Sequence, residues 1–410
     1  MTSVNKETTP FRRRLMLIII AGILARAAVI VYSNQNPKLF DFPDSHRYFT
    51  VARNIADGLG PIDSPTVRAG TDPLYPILLS IGIASGLTCD DQLMRWAQLI
   101  NTLASVASII AVAGIARNLF SERVALIGAA VFALDPITLF FNTLALTETV
   151  YSALLLMACD LVTRRHGFYY TPIVLRFCGA GIFLGFAGIT RSSGLFLPIF
   201  LAAATLLRGI PKVVRPTAIA TLFTFIVVPS IMILVQGEIN KHIFVPIRTG
   251  SGASLMEALG PWADGGPGMD RIVYPPFPPN ANEYERDQLC RTAALDWAKQ
   301  NPARTISLAW TKLLRTWSIT INASDYSSPL YKAVGWLTVA PVFALALIGV
   351  VLLRSQRATL ALLLAPVAYF TILHMIFVGS VRYRMPAMPF VFILAAVAMT
   401  RIIDRKAAKA

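Results

Sequence analysis

Charged residues are scarce. Asp, Glu, Lys and Arg make up 14% of the 410 residues, where a soluble domain carries roughly 25%, so most of the chain faces something other than water. Histidine and cysteine are scarcer still, at 4 each. Cys89, Cys159, Cys178 and Cys290 stand at no metal-ligand spacing, which excludes a zinc ribbon or finger. P-loop, GxGxxG and zinc-hydrolase patterns are missing, as are internal repeats and low-complexity stretches, so nothing in the chain is built to hold a nucleotide. Acidic residues number 22 against 37 basic ones, a net charge of +15. No basic stripe interleaves with aromatics, so this excess does not describe a nucleic-acid surface.

What is present is apolar sequence in runs near the length that crosses a bilayer. The runs are 15–33, 73–88, 95–116, 124–141, 148–163, 172–190, 193–207, 216–236, 334–353, 359–378 and 386–403. The first follows Arg12-Arg13-Arg14 and is too long for a signal-peptide core, so it reads as an uncleaved helix. The second is short, opens at Pro73 and carries Pro76. Basic residues gather at Arg12–Arg14, Arg117–Arg123, Arg164–His166, Arg208–Arg215, Arg354–Arg357 and Arg401–Lys409. All of these fall on the cytoplasmic side, as the orientation rule requires, only if 73–88 does not span. The expected fold is an all-α, multi-pass protein of the cell inner membrane: one domain over 1–410, about ten transmembrane helices and both termini cytoplasmic. Residues 34–94, 142–147, 191–192, 237–333 and 379–385 then lie outside.

Two outer loops carry helices of their own. Tyr48, Val51, Ala52 and Ile55 recur at helical spacing after Asp44 or Ser45 as cap, and Gly58-Leu59-Gly60 ends the helix. In the second loop a Pro/Gly-rich stretch, 261–279, precedes a polar helix over 284–300. An amphipathic helix over 303–317, suited to the membrane interface, follows. Outside the runs, Cys89 and Cys290 could pair in an oxidising compartment, whereas Cys159 and Cys178 read as small hydrophobes.

Ionisable residues near membrane depth are costly and generally serve a purpose. Asp44 follows the first run in Pro43-Asp44-Ser45-His46-Arg47-Tyr48, where the plain reading is a helix cap and the functional one a site on an outer loop. Glu148 opens the run 148–163, either as an acid complementing the helix dipole or as a buried functional carboxylate. Arg191 stands at an outer turn, against the orientation rule; it either snorkels or forks onto an anion. Arg382 and Arg384 repeat that anomaly before Met385-Pro386. Arg26, inside the first run, snorkels or pairs with an acid. Asp160 reads as the partner of Arg164 four residues on, and Asp135 before Pro136 as the cap of a broken helix. Carboxylates and guanidiniums on one outer face suit transfer chemistry: arginines stabilise a departing phosphate, and a carboxylate takes a proton from an attacking hydroxyl. With no nucleotide outside the cell, the energy would come from an activated lipid.

The segments Pro43–Tyr48 with Ala52 and Gly58, Asp72-Pro73-Leu74-Tyr75-Pro76, Ala145-Leu146-Thr147-Glu148, Thr190-Arg191-Ser192-Ser193-Gly194, and Arg382–Pro386 with Pro389 come in an order that resembles the polyprenyl-phosphate-dependent GT-C glycosyltransferases. That family includes the lipid A aminoarabinose transferase and the protein O-mannosyltransferases; 293–317 resembles the late outer-loop helices of its bacterial members. The resemblance spans 15–403. It implies a GT-C bundle with two periplasmic juxtamembrane-helix loops and an inverting transfer from a polyprenyl-phosphate-linked sugar to a glycan, lipid or protein acceptor. It implies Asp44 as base, Glu148 as its assistant or orienter of the acceptor, and Arg191, Arg382 and Arg384 at the donor phosphate. Where some relatives place a lysine before the proline of the juxtamembrane helix, this chain has Asp72, so Arg68, the nearest cation, is the residue expected to make that donor-phosphate contact. A divalent cation shared by Asp44 and Glu148 is compatible with the residue types; none is required. A flippase of lipid-linked sugars would also use arginines, but the paired, symmetric halves common in transporters are missing. A surface-glycan polymerase or ligase is a further alternative.

Overall fold

The computed structural model describes residues 4–164, 173–206, 214–239, 245, 247–322 and 328–407. Among these there is no strand, and the helices are α1 (Val4–Gln35), α2 (Pro43–Ala56), α3 (Leu74–Ala84), α4 (Asp90–Leu119), α5 (Glu122–Leu134), α6 (Pro136–Asn142), α7 (Glu148–Thr163), α8 (Ile173–Thr190), α9 (Leu197–Leu206), α10 (Val214–Ile239), α11 (Ser251–Ala258), α12 (Glu283–Gln300), α13 (Pro302–Thr316), α14 (Pro329–Leu352), α15 (Arg357–Ile376) and α16 (Met388–Ala407). The all-α, multi-pass membrane architecture is as expected.

Among the described residues, four helical segments are long and apolar enough to cross a membrane: Pro10–Gln35, α4, α14 and α15. The pair α5 and α6, bent by 57° at their junction, makes a fifth. The other apolar runs of the expected ten coincide with α7, α8, α9, α10 and α16. The run 73–88 is different. It folds as the 11-residue α3, about 16 Å long at 1.5 Å per residue, half of a roughly 30 Å hydrocarbon layer.

The bend between α5 and α6 follows from local chemistry. Pro136 has no N–H to continue α5, and the Asp135 side chain caps α6 by accepting the Thr138 amide at 2.8 Å. The break leaves the Ala133 carbonyl without a helical donor. Arg26 supplies one, its Nη1 lying 3.0 Å from that oxygen and 2.9 Å from the Gly22 oxygen. Arg26 is buried, so the expectation that it snorkels or meets an acid is corrected: it pins α1 to the α5 end. The Asp160–Arg164 pair forms as read, at 2.6 Å.

The main core joins α4, α5, α7, α15 and α16. Within it α16 is buried nearly all round from Met388 to Ala396, which explains why that run shows little amphipathic period. At one end of the bundle basic residues gather: Arg123 bridges to Asp404 of α16, and Arg117 sits 4.5 Å from the centre of the Phe11 ring. The basic loops expected at 165–166 and 208–213 lie outside the described residues. The opposite end carries α2, α3 and residues 247–322.

There α2 departs from the reading in one respect. Its N-cap is Phe42 and Pro43 opens the first turn, so neither Asp44 nor Ser45 caps it. The Ser45 hydroxyl donates instead to the Ala145 carbonyl, and the Asp44 carboxylate accepts from a side chain of another segment rather than capping its own helix. Gly58, at a φ of 77°, takes the left-handed turn that follows the helix. Arg53 bridges α2 to Asp90 at the head of α4. Cys89 and Cys290, which could have paired, are both free: Cys89 is exposed at the head of α4, and Cys290 of α12 is buried in the core it shares with α11.

Candidate active site

Four side chains separated by hundreds of residues meet at the α2 end. Arg382 lies between two carboxylates. Its Nη1 donates to Asp44 at 2.6 Å, its Nε donates to Glu148, and its Nη2 reaches the second Glu148 oxygen at 3.5 Å. Arg191 approaches Glu148 from the other side, its Nη1 2.5 Å from Oε1 and 3.1 Å from the Thr147 hydroxyl. The order in space is Asp44, Arg382, Glu148, Arg191.

Each is placed by a chain break. Asp44 is in the first turn of α2, held by Pro43. Glu148 is the first residue of α7, after a turn in which Ala145 and Leu144 give their carbonyls to Ser45 and Asn101. Arg191 ends α8 where Gly194 packs so closely on Tyr151 that a Cβ has no room. Arg382 sits on a short 3-10 turn, Val381–Arg384, capped by the Ser380 hydroxyl.

Exposure separates the two carboxylates. The Glu148 side chain is 2% exposed and that of Asp44 46%. Glu148 is therefore the buried anion that fixes both guanidiniums, while Asp44 faces the open side. Arg382 spends its nitrogens on the acids. Burial alone would lower its pKa, but Glu148 and Asp44 more than offset this and raise it well above the usual value. Among the described residues Arg191 commits only Nη1 to hydrogen bonds, which leaves its other N–H groups for a ligand. A cation shared by Asp44 and Glu148 would have to enter where the Arg382 guanidinium lies, so the two acids do not fit a metal.

Other residues converge here that the sequence pattern did not single out. The Tyr383 ring lies 5.7 Å from the Arg191 guanidinium and 5.8 Å from that of Arg382, and stacks on His374 at 4.6 Å. Tyr48, one turn after Asp44, packs edge-on to Tyr75. Burial first, then Asp44, pushes its hydroxyl up to about 12, so it stays protonated as a donor. Its spacing from Asp44 was legible as one helix face. Arg248 lies 3.8 Å from Asp72, which also accepts the Ser192 amide at 3.1 Å, beside Arg191. Nothing in the sequence pairs Arg248 with position 72; only the folded loop does. On α11, Glu257 accepts the Gly268 amide at 2.7 Å, and burial and then Asp44 raise its pKa.

Two expected phosphate contacts do not join the cluster. Arg384 is wholly buried and donates to the Thr316 and Ser318 carbonyls, with its guanidinium over the Phe343 ring. On a turn of three residues per revolution, positions two apart point about 120° away from each other, so Arg382 and Arg384 cannot serve one ligand. Arg68 is fixed by its backbone, whose amide donates to Glu283 at 2.7 Å, and its side chain bonds to none of the four central groups.

No protein-family model matches the sequence, and no curated protein matches it. Solved structures do match the fold. The oligosaccharyltransferase of Archaeoglobus fulgidus, tethered to an acceptor peptide, aligns with 97% of this chain at 15% identity and a TM-score of 0.53. The oligosaccharyltransferase AglB of Archaeoglobus fulgidus, in complex with an inhibitory peptide and a dolichol-phosphate, aligns with 96% at 15% identity and a TM-score of 0.50. ArnT of Cupriavidus metallidurans bound to undecaprenyl phosphate covers 96% of this chain and 78% of its own, at 15% identity and a TM-score of 0.41. This chain spans about half the length of the archaeal enzyme, 50% in both cases. Over nearly all of its residues, the chain has the fold of the GT-C glycosyltransferases.

Proposed function

We propose that this protein is a GT-C glycosyltransferase of the inner membrane. It transfers a sugar from a polyprenyl-phosphate donor to an acceptor hydroxyl at the outer face, with inversion. The observation that carries the reading is the Asp44–Arg382–Glu148–Arg191 array, with one acid open and the other buried. Asp44 takes the acceptor proton. The acceptor oxygen then attacks the anomeric carbon from the side opposite the phosphate, and the carbon–oxygen bond to phosphate breaks with its electron pair leaving on the phosphate. Arg191, with N–H groups to spare, and Arg248, which reaches the Asp72 carboxylate that also accepts the Ser192 amide, receive that charge. Arg382 aims Asp44, and Glu148 holds the arginines rather than meeting the acceptor. The basic end of the bundle faces the cytoplasm, since short basic loops stay inside; this puts the array outside. Dolichol-phosphate bound to the archaeal enzyme of like fold fits the same donor class.

The test is release of polyprenyl phosphate by the full chain in proteoliposomes, from a panel of radiolabelled undecaprenyl-phosphate hexoses and pentoses with a membrane-extract acceptor. Wild type releases it from at least one donor. Arg191→Met lowers kcat/KM for that donor about 100-fold, the loss expected for one charge-stabilising group. No release from any donor, or an unchanged rate in Arg191→Met, contradicts the proposal.

A further inference from the structure

Arg248 is not fixed by its acid. Its Nε lies 3.8 Å from the Asp72 carboxylate, too far for a hydrogen bond, and its side chain is 33% exposed. The backbone around it sets its place. The amide of Thr249, the next residue, donates to the Ala69 carbonyl at 2.7 Å, and Ala69 stands just before Asp72 in the chain. A short segment of the second outer loop is thus laid against a short segment of the first, with Arg248 and Asp72 beside the junction. Thr249 and Ala69 are both buried.

One carboxylate fastens that junction. Glu283 is the first residue of α12. An acid there ordinarily complements the helix dipole, but this helix end is already closed by its own pair. The Asn282 side chain accepts the Glu285 amide at 3.0 Å, and the Glu285 side chain accepts the Asn282 amide at 2.9 Å. Glu283 reaches away from its helix instead. Its Oε2 accepts the Arg68 amide at 2.7 Å and the Ala69 amide at 3.2 Å, and its Oε1 accepts the Thr249 hydroxyl. Three donors from two loops far apart in the chain converge on one half-buried acid. An ionised acceptor makes each of these bonds stronger than a neutral one would.

Both segments lead on to other parts of the site. The Thr71 hydroxyl donates to Asp63 at 2.5 Å, and Asp63 also accepts from Arg47, on the helix that carries Asp44. Gly70 lies so close to the Arg47 guanidinium that a Cβ has no room. One turn along α12 from Glu283, Asp287 accepts the Gly250 and Gly252 amides at 2.9 and 2.7 Å and so holds the first turn of α11. The two acids of α12 have separate tasks: Asp287 seats α11, and Glu283 joins the loops.

We infer that Glu283 is a positioning residue of the donor site: by clasping Arg68, Ala69 and Thr249 it holds Arg248 where the lipid phosphate is received. It bonds to none of the four central groups and acts only through Arg248. This role rests on the proposed function.

The test is a titration of undecaprenyl phosphate onto the full chain in nanodiscs, for wild type, two single variants and their double. Arg248→Met raises Kd about ten-fold, equivalent to about 1.4 kcal/mol. Glu283→Gln keeps the size but loses the charge and replaces one acceptor oxygen by a donor; it raises Kd about five-fold, a loss of the size expected for hydrogen bonds to a charged group. The double variant stays at about ten-fold, because Glu283 has nothing left to position, whereas independent effects would combine to about fifty-fold. Amide hydrogen exchange over 66–72, followed without lipid phosphate, is faster in Glu283→Gln than in wild type and unchanged in Arg248→Met. A wild-type Kd in Glu283→Gln, a double variant at about fifty-fold, or unchanged exchange over 66–72 in Glu283→Gln overturns the role while the donor assignment stands. Wild type that does not bind undecaprenyl phosphate, or Arg248→Met that binds it as wild type does, refutes the phosphate assignment itself and with it the role built on it.

Discussion

Asp44→Asn lowers sugar transfer by about 1,000-fold, within the range general-base removal produces, while the protein inserts and melts as wild type does. The expectation follows from three features of the site. The substitution keeps the size and one hydrogen-bond acceptor for Arg382 Nη1, so the turn at Val381–Arg384 keeps its support. It removes the one central carboxylate with open access, at 46% exposure. It strands no buried charge, because Arg382 retains Glu148 on its other edge. The measurement is kcat with saturating donor and acceptor, alongside the melting temperature in the same detergent. Transfer at wild-type rate would reduce Asp44 to a first-turn acid of α2 with no part in the chemistry.

Arg382→Met is the most disruptive single change expected in the site. It removes the guanidinium that joins Asp44 to a Glu148 carboxylate 2% exposed. Breaking a buried ion pair by deleting one member costs about 3–5 kcal/mol, because the remaining charge is left in a low-dielectric setting; Arg191 stays on Glu148 and keeps the loss near about 3 kcal/mol. Transfer is lost as well, since Asp44 is no longer aimed. Adding Glu148→Gln to Arg382→Met costs less than the sum of the two single changes, because their mutual pair is already broken, but stability does not return fully, since Arg191 then loses its acid as well, and activity stays lost. That non-additivity is the signature of direct contact. If the double variant is as unstable as the sum of the two single ones, the two residues are not coupled as described. The Lys variant is informative too: a point charge cannot fork between two acids as a planar guanidinium does, so Arg382→Lys restores folding more than rate.

Much of this was legible before folding because the bilayer makes charge expensive. Asp44, Glu148, Arg191 and Arg382 stand out against apolar runs, and the orientation rule turns two misplaced arginines into a signal. The same reasoning kept 73–88 from being read as a span, and α3 is indeed too short for one. Its limits are equally physical. Hydropathy does not say which way a side chain turns, so Arg384 was grouped with Arg382 although the 3-10 turn sends it to the end of α13. Arg26 was given a snorkelling or pairing role because sequence does not show the orphan carbonyl at Ala133. The Arg248–Asp72 contact joins two loops far apart in the chain, and no periodic pattern carries such information. Tyr383 lay in plain view between two arginines, yet its place against His374 and both central guanidiniums depends on the turn geometry.

The central claim is that Arg191 and its neighbours receive a lipid phosphate beside Asp44. The most direct measurement is an electron cryo-microscopy map of the chain in nanodiscs with undecaprenyl phosphate. The account predicts phosphate density within hydrogen-bonding reach of the Arg191 guanidinium, on the side open to Asp44, with the prenyl chain passing into the bilayer. Phosphate density at the basic end near Arg117 and Arg123, with the space beside Asp44 and Arg191 clear, would contradict it.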